Sequence, residues 1–228
     1  MEIEKFELVI FDMDGLMFDT EKISFISWKN AACDYGYEID EEIFIRTIGA
    51  NLERTIEIYL EHFGEKFPFD GIKNERFIIS ENLIKKNGVP VKDGLYELLD
   101  YLKKVDIKLA VATSTSRQRA LNLLTLTGID TLFDYILCGD EIKNSKPDPE
   151  IFLKVSEKLG CMPERCIVLE DSEVGIMAAH RARMLPIMIP DMKEPEEEVR
   201  RLAYKQLGSL SDVKLFLEDF YAQSQEGA

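Results

Sequence analysis

Residues 8–20 read LVIFDMDGLMFDT: an apolar run that closes on two aspartates one residue apart, followed by a glycine. Asp12 and Asp14 therefore stand together at the end of one buried segment. Other apolar runs end in the same manner. KLAVAT delivers Thr113 and Ser114, CIVLE delivers Glu170, Asp171 and Ser172, and after YILCG the loop EIKNSKP carries Lys146 just ahead of a proline-led helix start. In an open parallel α/β sheet, ligands bind beyond the carboxyl ends of the strands, so these residues converge on one edge. Carboxylates gathered there repel one another unless a cation sits among them. An oxygen-only, acidic donor set suits Mg²⁺, which shares its shell with water and phosphate. Lys146 and the Thr113 hydroxyl add a positive charge and a donor for phosphoryl oxygens. Together the set fits phosphoryl transfer with a carboxylate as nucleophile.

The elements that must position these groups are legible from the hydrophobic pattern. The runs at 6–11, 108–113, 135–139, 166–170 and 186–190 do not alternate polar with apolar residues, as expected of strands covered on both faces. Between the later runs lie helical patterns: SRQRALNLLTLTG, then PDPEIFLKVSEKLG with proline at its start and glycine past its end, then SEVGIMAAHRARM. Such alternation implies an α/β, doubly wound parallel-sheet (Rossmann-like) core built from residues 1–17 and 89–228. The gap after the first strand is too long for one crossover helix. It shows amphipathic helical patterns and no convincing strand, which implies an all-α insertion over residues 18–88. KEPEEEVRRLAYKQ reads as a solvated helix face.

The chain has 228 residues, enough for one good core and a smaller unit. Its formal charge of −15 opposes binding to nucleic acid, and any small anionic ligand needs local cationic help. MEIEKFELVI lacks the pattern of a secretory signal, and no stretch reaches membrane-spanning length, so a cytoplasmic protein without a membrane partner is expected. The four cysteines form no C-x-x-C pair and the two histidines lie far apart, which argues against a zinc site, a disulfide framework or a histidine-driven triad.

Four motifs occur in order: D-x-D-G at Asp12 to Gly15, the strand-end Thr113, Lys146 in SKPDPEIF, and LEDS at Leu169 to Ser172. In these the chain resembles the haloacid dehalogenase superfamily across its whole length, nearest in look to β-phosphoglucomutases and small sugar-phosphate phosphatases, with the insertion similar to that family's helical cap. The resemblance implies Asp12 as the nucleophile that becomes an aspartyl-phosphate, Asp14 as general acid and then base, and Thr113 and Lys146 as phosphoryl ligands. It also implies Mg²⁺ held by Asp12, the backbone carbonyl of Asp14 and Asp171, with Glu170 a fourth ligand or a neighbour of the ligands. The dehalogenase branch lacks the second aspartate, so Asp14 points to phosphate chemistry.

The expected activity is hydrolysis of a small phosphorylated metabolite, a sugar phosphate above others, by a monomer; a phosphosugar mutase is the alternative, and a non-catalytic phosphate-binding module a third reading. In the β-phosphoglucomutases a histidine on the first cap helix activates the acid/base, and an arginine shortly after the cap's glycine grips the distal phosphate. Alignment puts Ser24 and Leu52 at those two positions, with Arg54 two residues on. Glu21, Ser24, Gly49, Asn51, Arg54 and Ser114 are the candidate substrate contacts, and Trp28 is either core or a platform.

Overall fold

The computed structural model describes residues 5–50 and 52–226. Six strands form one sheet: β1 (Leu8–Phe11), β2 (Lys108–Ala112), β3 (Tyr135–Leu137), β4 (Cys166–Glu170), β5 (Leu185–Met188) and β6 (Lys205–Gln206). Every pairing is parallel, in the order β3-β2-β1-β4-β5-β6. The chain winds outward from β1 in one direction and then returns to start again at β4, which makes the β1/β4 boundary the switch point of a doubly wound fold.

Two compact units divide the chain, one formed by Met1–Phe18 with Val91–Ala228 and the other by Asp19–Pro90. Among the described residues, the regular elements of the second unit are helices: α1 (Thr20–Asp34), α2 (Glu41–Ile45), α3 (Leu52–Phe63) and α4 (Phe69–Asn87). The first carries α5 (Leu95–Lys104), α6 (Arg117–Leu126), α7 (Glu150–Leu159), α8 (Glu173–Arg181), α9 (Glu197–Arg200) and α10 (Leu210–Glu226). The crossings fall where hydrogen bonds change allegiance. Phe18 bridges Val91, and Lys92 N–H donates to Met17 O at 2.9 Å, whereas Asp19 N–H donates to Pro90 O at 2.9 Å.

Strands β1 and β4 are buried at every position. Leu8 and Ile10 pack with Ala110, Val168, Phe152, Val155 and Ala178, joining the sheet to α7 and α8. Val9 and Phe11, which point the other way, are also fully buried, so the unbroken apolar run reflects a sheet covered on both faces. One expectation needs correction at the C-terminal side. The segment read as a solvated helix is helical only over Glu197–Arg200, and then supplies β6 at the sheet edge. Its two residues, Lys205 and Gln206, are exposed and polar, so no hydrophobic pattern announces the strand.

Candidate active site

Register decides which groups meet. Phe11 lies opposite both Leu169 and Val111, which brings Asp12 level with Glu170 on one side and Ala112 on the other. Lys146 reaches in from the loop before α7. Its ammonium donates to Asp12 Oδ1 at 2.5 Å, to Glu170 Oε1 at 2.6 Å and to the Ala112 carbonyl at 3.1 Å, with only 4% of the side chain exposed. The other Glu170 oxygen, Oε2, accepts from the Ser172 hydroxyl at 2.9 Å and the Ser172 N–H at 3.2 Å. Ser172 also caps α8 by accepting from Gly175 N–H at 3.1 Å, so one serine both starts that helix and aims the buried glutamate.

Two glycines are required here by close approach. A Cβ on Gly175 would collide with the Glu170 carboxylate, and one on Gly15 with that of Asp171. Gly15 also has φ +84, in the left-handed region, so the turn after Asp14 admits little else. Carboxylate oxygens of Asp12, Glu170 and Asp171 lie within 4.8 Å of one another, an oxygen-only set that fits a hard divalent cation. Burial pushes the Asp12 carboxyl up to about 7; the Lys146 ammonium opposes this, and the Glu170 and Asp14 charges add to it. Burial alone would lower the Lys146 ammonium, but the Asp12 and Glu170 charges reverse that and hold it above its ordinary value. Thr113 is buried at the end of β2, its hydroxyl accepting the Thr115 N–H at 3.1 Å.

The helical unit holds a cavity of ≈ 280 Å³ whose polar lining includes Glu21, Ser24, Thr47, Lys73 and Arg76. Arg76 Nη1 donates to Ser24 Oγ at 3.2 Å, and its guanidinium lies over the Trp28 ring at 5.3 Å from the centroid. Trp28 itself is only 6% exposed and packs against Tyr59 and Phe69 at 5.0 and 5.5 Å, so it is a core residue that also forms part of the cavity wall.

Residues 9–189 match the sequence profile described as "Haloacid dehalogenase-like hydrolase". The chain belongs to this family. It is 37% identical over 180 residues to a "Phosphorylated carbohydrates phosphatase" of Thermotoga maritima, a match covering 77% of this chain and 81% of the relative. It is 30% identical over 185 residues to a "Beta-phosphoglucomutase" of Bacillus subtilis, covering 78% and 81%. The crystal structure of a beta-phosphoglucomutase from Clostridium difficile superimposes with a TM-score of 0.73 at 27% identity, covering 96% of this chain and 98% of that one.

In this haloacid dehalogenase-like hydrolase, Asp12, Asp14, Thr113 and Asp171 lie on the loops beyond β1, β2 and β4, Glu170 is the last residue of β4, and Lys146 reaches them from the loop before α7. Ser114 is exposed at the end of β2. Among the candidate substrate contacts, Glu21, Ser24 and Gly49 line the cavity. Arg54 does not; it is bound to Glu57 and Glu61, each at 2.9 Å. Asn51 lies outside the described residues. Sequence reasoning missed Lys73 and Arg76, which share a face of α4 at i,i+3 spacing but carry no motif. It also missed Thr115, whose hydroxyl donates to Asp14 Oδ2 at 2.7 Å. The hydroxyl-rich run TSTS after β2 was the available signal.

Proposed function

We propose that this enzyme is a Mg²⁺-dependent phosphatase that hydrolyses a small phosphorylated metabolite, a sugar phosphate in the first instance, through an aspartyl-phosphate on Asp12. The observation that carries the reading is the buried Lys146 ammonium bridging Asp12 and Glu170, beside Asp171 and on the same edge as the Asp14 loop. The names borne by relatives, phosphatases of phosphorylated carbohydrates among them, support the substrate class.

An oxygen of Asp12 attacks phosphorus as the bond from phosphorus to the leaving oxygen breaks, and Asp14 delivers a proton to that oxygen. Lys146 and the Thr113 hydroxyl stabilise the transferring phosphoryl oxygens. The Thr113 oxygen accepts the Thr115 N–H, which leaves its O–H available as a donor. In the second half, Asp14 takes a proton from water, water oxygen bonds to phosphorus, and the bond to Asp12 breaks to release phosphate. Asp12, Asp171 and the backbone carbonyl of Asp14 would hold Mg²⁺, with Glu170 occupied chiefly in anchoring Lys146; when bound, the ion neutralises carboxylate charge and polarises the phosphoryl group.

The mutase alternative is supported by relatives with that name. Against it stand Ser24, engaged by Arg76 where a mutase would carry histidine, and Leu52, 54% exposed where it would carry arginine. Arg54, the nearest substitute, is committed to Glu57 and Glu61. The deciding assay supplies β-glucose 1-phosphate with a trace of glucose 1,6-bisphosphate and follows both products. Inorganic phosphate is expected to form faster; glucose 6-phosphate forming faster would establish the mutase.

A further inference from the structure

Thr113 and Thr115 sit two residues apart on the loop after β2, and their hydroxyls engage different partners. The Thr113 hydroxyl accepts the Thr115 N–H, while the Thr115 hydroxyl donates to Asp14 Oδ2 at 2.7 Å across a sequence separation of 101 residues. The loop carrying both is fixed from the far side. Gly139 N–H donates to the Thr115 carbonyl at 3.0 Å, and a Cβ on Gly139 would run into the Ser114 carbonyl oxygen. Only a glycine lets the two loops approach this closely, so the Thr115 hydroxyl is delivered from a backbone held at both ends of its residue.

A carboxylate that shuttles protons must present one oxygen along the line to the leaving group, yet an aspartate has several χ1 rotamers and a broad χ2 until its contacts select one. Half-buried Thr115, bonded to Asp14 Oδ2, is placed to contribute that restraint. We propose that Thr115 is a positioning residue for Asp14: its hydroxyl ties Oδ2 and so fixes the carboxyl plane in which the other oxygen carries the proton. This rests on the reading of Asp14 as general acid and base, and adds to it a partner that none of the four motifs names. No bond to phosphorus involves Thr115, and its effect passes entirely through Asp14.

The test compares two esters whose need for an acid differs. p-Nitrophenyl phosphate loses a stable anion and needs little protonation of the leaving oxygen, whereas glycerol 1-phosphate loses an alkoxide and depends on it. The parameter is kcat/KM, which reports the steps through departure of the leaving group. General acid catalysis is worth about 10²–10⁴-fold, and a misaimed acid forfeits part of that. Thr115→Val should therefore lower the ratio of kcat/KM for glycerol 1-phosphate to that for p-nitrophenyl phosphate by about tenfold or more. Thr115→Ser, which keeps the hydroxyl, should restore the ratio to within about threefold, and Asp14→Asn should depress it further than Thr115→Val. Should Thr115→Val reduce both esters by one factor while Asp14→Asn changes the ratio, Thr115 is a packing residue and the proposal is overturned with the Asp14 reading intact. If Asp14→Asn also leaves the ratio unchanged, the acid assignment itself is refuted and the proposal falls with it.

Discussion

Replacing the proposed nucleophile should make the metal-free protein more stable. Asp12 is buried next to Glu170 and Asp14, and its carboxyl is pushed from an ordinary 3.8 up to about 7, chiefly by loss of hydration. The sign follows from linkage. With the folded value raised, the group favours folding fully below 3.8, and that contribution is lost as pH rises through 7. A displacement of roughly three pH units at ~1.4 kcal/mol each sets the burden on the chelated protein above neutrality at about 4 kcal/mol. Asp12→Asn keeps the shape and leaves an oxygen for the Lys146 ammonium, but carries no charge. Its amide still has to find acceptors, so the expected gain is about 2–4 kcal/mol at pH 8, a rise in Tm of roughly 5–15 °C for a chain of this size. Thermal unfolding of both proteins in EDTA at pH 8 and pH 4 measures it. The gap should close at the acid end, and Mg²⁺ should raise the Tm of wild type more than that of the variant, while the variant turns over no substrate. A variant no more stable than wild type at pH 8, or a gap independent of pH, would refute the charge argument.

Two other predictions concern the neighbouring groups. Asp171→Ala removes one of the three clustered carboxylates and should weaken apparent Mg²⁺ affinity by at least about tenfold in an activity titration; EDTA-treated wild type working as well as untreated enzyme would contradict the metal assignment. Glu150, which holds the loop leading to Lys146, is drawn down to about 2 by Lys154 first and then by the Lys143 and Asn144 N–H groups. Its support is present above the ordinary 4.5 and fades as pH falls toward 2, so Glu150→Gln should unfold at a lower midpoint than wild type at pH 7, with the two converging in acid; a constant difference would exclude the ionised form as the source.

The core fold is legible in the sequence because its strands are buried on both faces and each therefore reads as a short unbroken apolar run bounded by turn or helix signals. The candidate site is legible for a related reason: in a parallel sheet the residue that follows such a run is placed by topology, before any side-chain contact is known. Strand β6 escapes detection because Lys205 and Gln206 are exposed and polar, so their pairing with β5 leaves no apolar pattern in the sequence. Side-chain partnership is the other thing a pattern does not hold. Nothing in LEDS says that both Glu170 oxygens are engaged, one by Lys146 and the other by Ser172, and nothing in TSTS separates the tasks of Thr113 and Thr115. In the helical unit, Arg76 meets Ser24 across 52 residues of sequence, a contact set by the packing of α1 on α4 rather than by any local signal.

The charge balance of the edge ties these observations to substrate binding. Asp12 and Glu170 share the Lys146 ammonium with Asp14 and Asp171 close by, while a phosphate monoester brings nearly two further negative charges at neutral pH. An anion does not settle on an already anionic site, so the proposed divalent cation is needed to admit the substrate as well as to assist its cleavage. Without it, loss of hydration, aided by the Glu170 and Asp14 charges, pushes the Asp12 carboxyl up to about 7, so a proton on Asp12 also lowers the charge of the site. Proton and metal are thus competing answers to one problem. The stability that Asp12 lends the metal-free protein must fall as pH rises through about 7, and affinity for the cation must rise over the same range, because one ionisation governs both.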